Sequence, residues 1–98
     1  MEDINRIELS GTIGVANFTK VSNQYVVRFS LRVCTSFGMA VHEDVFGCSY
    51  WVDSLDECNK FGRGVNVRVS GRMMSNEYID NEGKTRRFYE VKVQKVQF

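Results

Sequence analysis

Asp53-Ser54-Leu55-Asp56-Glu57-Cys58-Asn59-Lys60-Phe61-Gly62 is the one stretch of this chain that reads as a helix. Ser54 followed three residues later by Glu57 fits a capping box, and the acids at 56 and 57 suit the positive end of a helix dipole. Leu55, Cys58 and Phe61 make one apolar stripe, and Gly62 suits the left-handed position that ends a helix. The spacing predicts a single helix of about two turns. On both sides of it the chain alternates with period two. Upstream, Ile7, Leu9 and Ile13 alternate with Glu8, Ser10 and Thr12, with Gly11 at a bend or bulge. Tyr25, Val27, Phe29, Leu31 and Val33 then alternate with Val26, Arg28, Ser30, Arg32 and Cys34. A connection at Thr35-Ser36-Phe37-Gly38 leads to a third strand over roughly Val41 to Trp51. Its facing is open, because Phe46, Cys48 and Tyr50 share one parity while Val45 and Trp51 share the other. Downstream, Val65, Val67 and Val69 alternate with polar residues, and Asp80-Asn81-Glu82-Gly83 forms a turn. Tyr89, Val91 and Val93 mark the last strand, where a parity slip at Gln94-Lys95 predicts a bulge before Val96 and Phe98.

The order is therefore three strands, one helix and two strands. That is the plan of an all-β, five-stranded OB-fold, a Greek-key barrel with one short helix between strands three and four. The helix plugs one end of such a barrel. The outer face of strands two and three forms a groove for single strands or oligosaccharides.

Composition narrows the class. The chain has 98 residues, 43 % hydrophobic and without proline, enough for one core and one domain over residues 1–98. No apolar run approaches the ~20 residues of a membrane span. The acidic start, Met1-Glu2-Asp3, does not read as a secretion signal. The expectation is a cytoplasmic domain with no membrane partner. Cys34, Cys48 and Cys58 form neither a closed disulfide set nor a C-x-x-C knuckle, and His42 is the only histidine, so no metal and no cofactor is expected. The three thiols are expected to be reduced and structural. No catalytic residue is assigned: a strand puts His42 and Glu43 on opposite faces, and no phosphate loop or nucleophile motif occurs.

A net charge of +1 argues against a strongly basic nucleic-acid binder. The distribution matters more than the sum. Arg28 and Arg32 share the polar face of strand two, as phosphate-tracking cations would, although Glu8 could instead pair with them across the sheet. Arg63, Arg72, Lys84 and Arg86 lie in or near turns, where they either contact phosphate or keep the domain soluble. Phe37 sits between Ser36 and Gly38, where burial is hard to arrange. Tyr50 and Trp51 are adjacent and point oppositely, one into the core and one out. Tyr78 stands in a polar arm, and Phe88 on the strand that follows is a candidate interface residue.

Several stretches resemble bacterial single-stranded DNA-binding proteins. Asn5-Arg6-Ile7-Glu8-Leu9-Ser10-Gly11 resembles that family's first strand, and Tyr25-Val26-Val27-Arg28-Phe29-Ser30-Leu31 its second. Gly62-Arg63-Gly64-Val65-Asn66-Val67-Arg68-Val69-Ser70-Gly71-Arg72-Met73 is similar to its Lys-Gly-x-x-Val-x-Val-x-Gly-x-Leu stretch. The likeness runs on through Tyr78, Asp80, Gly83, Arg86 and Glu90-Val91-Lys92-Val93. It implies sequence-independent binding of single-stranded DNA in replication, recombination or repair, by a homo-oligomer (dimer or tetramer) joined through strand one and the strand 4–5 arms. Bases would stack on aromatic rings at about 1–3 kcal/mol each while cations track phosphates. By position, the family's stacking rings fall on Phe37, Tyr50 and Tyr78, which favours Tyr50 outward, and a family Arg falls on Arg86.

The chain also departs from the family. A further family Trp falls on Asp44, the strand 2–3 loop is shorter, and Met74-Ser75-Asn76-Glu77 replaces basic residues of the arm. The chain stops at Phe98, so an acidic tail that recruits partners is not expected. The opening strand also resembles the primosomal replication protein B family, whose members would act mainly through protein contacts. A nearly neutral total can still hide a basic groove, since six of the thirteen cations are Arg28, Arg32, Arg63, Arg72, Lys84 and Arg86.

Overall fold

A computed structural model of the chain describes residues 2–98. Its elements follow the alternation read above: β1 (Ile7–Val21), β2 (Gln24–Phe37), β3 (Ala40–Val52), α1 (Leu55–Cys58), β4 (Asn66–Ile79) and β5 (Thr85–Gln97). The strands close into a barrel in the order β1-β2-β3-β5-β4. All pairings are antiparallel except β3 with β5, a short parallel seam that joins Cys48 to Val91 and Ser49 to Lys92. Val27, Phe29, Leu31, Val67, Val69, Val91 and Val93 point inward and form most of the core. This is the expected OB-fold.

Two glycines let the barrel close. A Cβ on Gly11 would lie 2.2 Å from the Arg32 carbonyl oxygen, and one on Gly71 would lie 2.0 Å from that of Lys92. No side chain fits there, so neighbouring backbones can cross closely. A bend or bulge is expected at Gly11, which stays paired with Val67; the β1 bulge lies between Ile13 and Ala16, where Gly14 and Val15 leave the ladder. Ser30 fixes it, its hydroxyl accepting the Val15 N–H at 2.9 Å. The β5 bulge is at Gln94, as the parity slip indicated: Ser70 pairs with Lys95 and Gly71 with Val93.

The helix is one turn, not two. Ser54 caps it in extended conformation, its Oγ accepting the Glu57 N–H at 3.3 Å, while the Glu57 carboxylate accepts from the Asp53 N–H at 3.1 Å. It ends early because Lys60 and Phe61 donate to the carbonyls of Glu57 and Cys58 in tight three-residue turns. These turns tuck Phe61 under the barrel, 5.2 Å from the Phe29 ring. Asn59, in ordinary helical conformation, is the cap; the left-handed residue expected at Gly62 is Gly64, at φ 85°. Leu55 does not join the apolar stripe and stays exposed.

Both long hairpins run past the barrel. β2 continues through the expected connection as far as Phe37, which pairs with Ala40 around a two-residue turn at Gly38-Met39. Gly38 takes φ 64° there, as the first position of a hairpin turn of this kind requires. β4 and β5 pair with each other out to Ile79 and Thr85, making a two-stranded arm. Tyr89 shares the parity of Val91 but lies on this arm, so it is exposed instead of buried. No helix among the described residues is long and apolar enough to cross a membrane.

Candidate nucleic-acid interface

Register lines up the outward side chains of neighbouring strands. Asn17 of β1 faces Arg28 of β2, Arg28 faces Ser49 of β3, Ser49 faces Lys92 of β5, and Lys92 faces Arg72 of β4. Arg28, Lys92 and Arg72 thus lie in one row around the barrel. Among the described residues none of the three makes an ion pair. Three unneutralised cations in a line form a track for a polyanion. Lys92 was not among the sequence candidates, and its place follows only from the parallel β3–β5 seam.

Arg32 lies two steps along the same face, beyond Ser30 and between Thr12 and Val45, but its Nε is 3.8 Å from a Glu43 carboxylate oxygen. Arg63, in the turn before β4, lines a cleft with Arg32, Thr12 and Val45 and makes no ion pair among the described residues. Glu8 pairs with Arg68 of β4, so the alternative of Glu8 neutralising Arg28 or Arg32 falls away.

The aromatic assignment changes in strand three. Phe46, Cys48, Tyr50 and Val52 point inward, and Tyr50 packs 6.0 Å from Phe61. Tyr50 is therefore a core ring, not the outward one expected. Trp51 takes the outer face, 43 % exposed, opposite Val26 and next to the residue that faces Arg28. A sequence signal for this exists: the even positions 46, 48, 50 and 52 are all apolar, whereas the odd set is broken by Gly47 and Ser49. Phe37, 80 % exposed, stands at the tip of the β2–β3 hairpin with His42 edge-on at 6.5 Å.

The β4–β5 arm carries the remaining candidates, and the structure does not bring them to the barrel face. Arg86 donates to Asp80 at 2.8 Å, and Lys84 lies 3.9 Å from Glu82. Asp80 organises the turn by accepting the N–H groups of Glu82 and Lys84, both at 2.9 Å. The Arg86 hydrogen bond, followed by these backbone donors, holds the Asp80 carboxyl below the usual carboxylate range. Arg87, likewise, is engaged by Glu77 and Ser75. The arm is thus neutralised from within. Tyr78 is half exposed and has an apolar neighbour in the polar arm, Phe88, with ring centroids 5.8 Å apart.

All three cysteines are free, with Cys34 exposed and Cys48 and Cys58 buried. Burial, then the nearby Glu90 carboxylate, pushes the Cys48 thiol up to about 12. Among the described residues no three His, Cys, Asp or Glu side chains converge as a metal site would need.

Comparison with known proteins agrees with this architecture. No curated protein matches the chain. A solved structure described as a Plasmodium falciparum SSB complex with ssDNA superposes with a TM-score of 0.81 at 18 % identity, covering 99 % of this chain and 94 % of that one. Neither this likeness nor the family match favours the primosomal alternative. Residues 4–98 match the model of the single-strand binding protein family, and the chain belongs to that family.

Proposed function

We propose that this chain binds single-stranded DNA in replication, recombination or repair, as a cytoplasmic homo-oligomer, by phosphate contact and base stacking without catalysis. The observation that carries the reading is the row Arg28–Lys92–Arg72 on the outside of the barrel, none of it ion-paired among the described residues. Trp51 beside that row, and Phe37 at the hairpin tip, offer π-faces to unpaired bases. Arg63 extends the cationic surface, and Arg32 joins it by exchanging Glu43 for phosphate. Lys84 and Arg86 hold the arm turn together and contribute less. Tyr78, Ile79, Phe88 and Tyr89 are exposed on the arm and supply apolar surface for subunit contact, as a dimer or tetramer.

A labelled oligo-dT of about a dozen nucleotides, near the footprint of one barrel, tests this by anisotropy at low and moderate salt. Binding that weakens with salt is expected. The slope should be shallow, because five of the thirteen cations, Arg32, Arg68, Lys84, Arg86 and Arg87, already have acidic partners. Absence of binding at low salt overturns the reading. Light scattering with and without the oligonucleotide gives the subunit count.

A further inference from the structure

Beside the cation row lies a shallow depression of about 300 Å³, at the small end of ligand sites. Its floor is Ser30 and Gly47, and Val15, Asn17, Arg28 and Glu90 surround it. Gly47 leaves the floor open, since a Cβ there would meet nothing within 4 Å. Ser30 is occupied with the bulge, which swings Val15 onto the rim. Arg28 and Glu90 border the same space without pairing to each other. Glu90 is half-buried and oriented by the Asn76 side-chain amide, which donates to its Oε1 at 3.3 Å.

A carboxylate here is unexplained by phosphate tracking, because it repels phosphate next to the cations that attract it. It needs a donor. We propose that this depression reads one guanine base of the bound strand, an inference that rests on the single-strand reading above. Among the four bases guanine alone presents two adjacent donors, N1–H and the N2 amine, to a carboxylate, and two acceptors, O6 and N7, to a guanidinium. Glu90 accepts the first pair and Arg28 donates to the second. Each carboxylate oxygen has two lone pairs, so Asn76 orients Glu90 without exhausting it. Thymine offers the carboxylate a single N–H, and adenine and cytosine only an amine. Trp51 lies four residues along β3 from Gly47, roughly 13 Å, on the same outer face, so a neighbouring base can stack there while this one is read. The track is thus tolerant of sequence at most positions and selective at one.

The test uses the wild-type chain and short oligo-dT with one central substitution, read by anisotropy at moderate salt. A single dG should bind about tenfold tighter than dT, the low end for a bidentate base contact in an open groove. Inosine, which lacks the N2 amine, and 7-deazaguanine, which lacks N7, should each lose much of that gain. Glu90→Gln should bring the dG-to-dT affinity ratio close to one. If dT binds and dG gains less than about twofold, or inosine equals guanine, base reading is wrong while single-strand binding stands. If neither dT nor dG binds, the single-strand reading itself fails. The base analogues keep the test decisive even if Glu90→Gln does not fold.

Discussion

Replacing Trp51 and Tyr50 one at a time separates groove from core within two adjacent residues. A tryptophan side chain offers about 250 Å² at most, so an exposure of 43 % leaves roughly 110 Å² facing solvent. A base stacked on one face covers about half of that, worth about 1.4 kcal/mol at ~25 cal/mol/Å². Trp51→Ala should therefore weaken oligo-dT binding about tenfold. Its stability cost should stay near 1 kcal/mol, since the ring caps Val26 without entering the core. Tyr50→Ala removes a ring packed against Phe61 and should cost about 2 kcal/mol of stability. Anisotropy gives the affinity, and urea midpoints by circular dichroism give the stability. Trp51 is the only tryptophan, so its own fluorescence should also be quenched as DNA covers it. Unchanged affinity in Trp51→Ala, together with weakened binding by a fully stable Tyr50→Leu, would refute this facing of strand three.

Three further outcomes follow from the same geometry. Arg28→Ala should reduce the salt slope by about 0.7, one phosphate on a single strand, whereas Arg32→Ala should change it less because Glu43 already occupies that guanidinium; equal slopes for the two variants would contradict the assigned roles. In native protein at neutral pH, iodoacetamide should label Cys34 alone, and Cys48, buried and with its thiol pushed up to about 12, should react only after unfolding. Asp80 titrates below its unfolded value, so its stabilisation of the arm turn is complete above the ordinary carboxylate range and fades as pH falls below about 4. Faster amide exchange at Glu82 and Lys84 over that interval is the expected signature, and protection that persists to the lowest pH would count against it.

Alternation made most of the barrel legible from sequence. Val27, Phe29, Leu31 and Val33 can face only one way when arginines and serines occupy the other side of β2. The Gln94 bulge was readable because an extra residue must invert parity. Strand three is harder to read because Val45 and Trp51 set bulky apolar residues on the face opposite Phe46, Cys48 and Tyr50, and the family likeness by position favours Tyr50 outside. The helix is shorter than its sequence predicts because capping fixes where a helix starts, while its end is set by Phe61 reaching the core. Charge pairing was least legible. Glu8 meets Arg68 only because β1 and β4 close the barrel, and Lys92, which faces Arg72 in the β4–β5 ladder, joins Arg28 only through a parallel seam of two residue pairs. The Asp80–Arg86 bond, by contrast, spans a single turn, but sequence does not show which nearby acid a surface arginine prefers.

The opposed facing of Tyr50 and Trp51 also limits how this protein can change length over evolution. A single inserted or deleted residue between Val41 and Tyr50 would invert the strand, turning the groove ring into the core and the core ring into solvent. Loss of binding and loss of stability would arrive in one mutational step. Length variation in this lineage should therefore collect at the Gly38-Met39 tip, where the two strands lengthen or shorten together and every side chain behind them keeps its face.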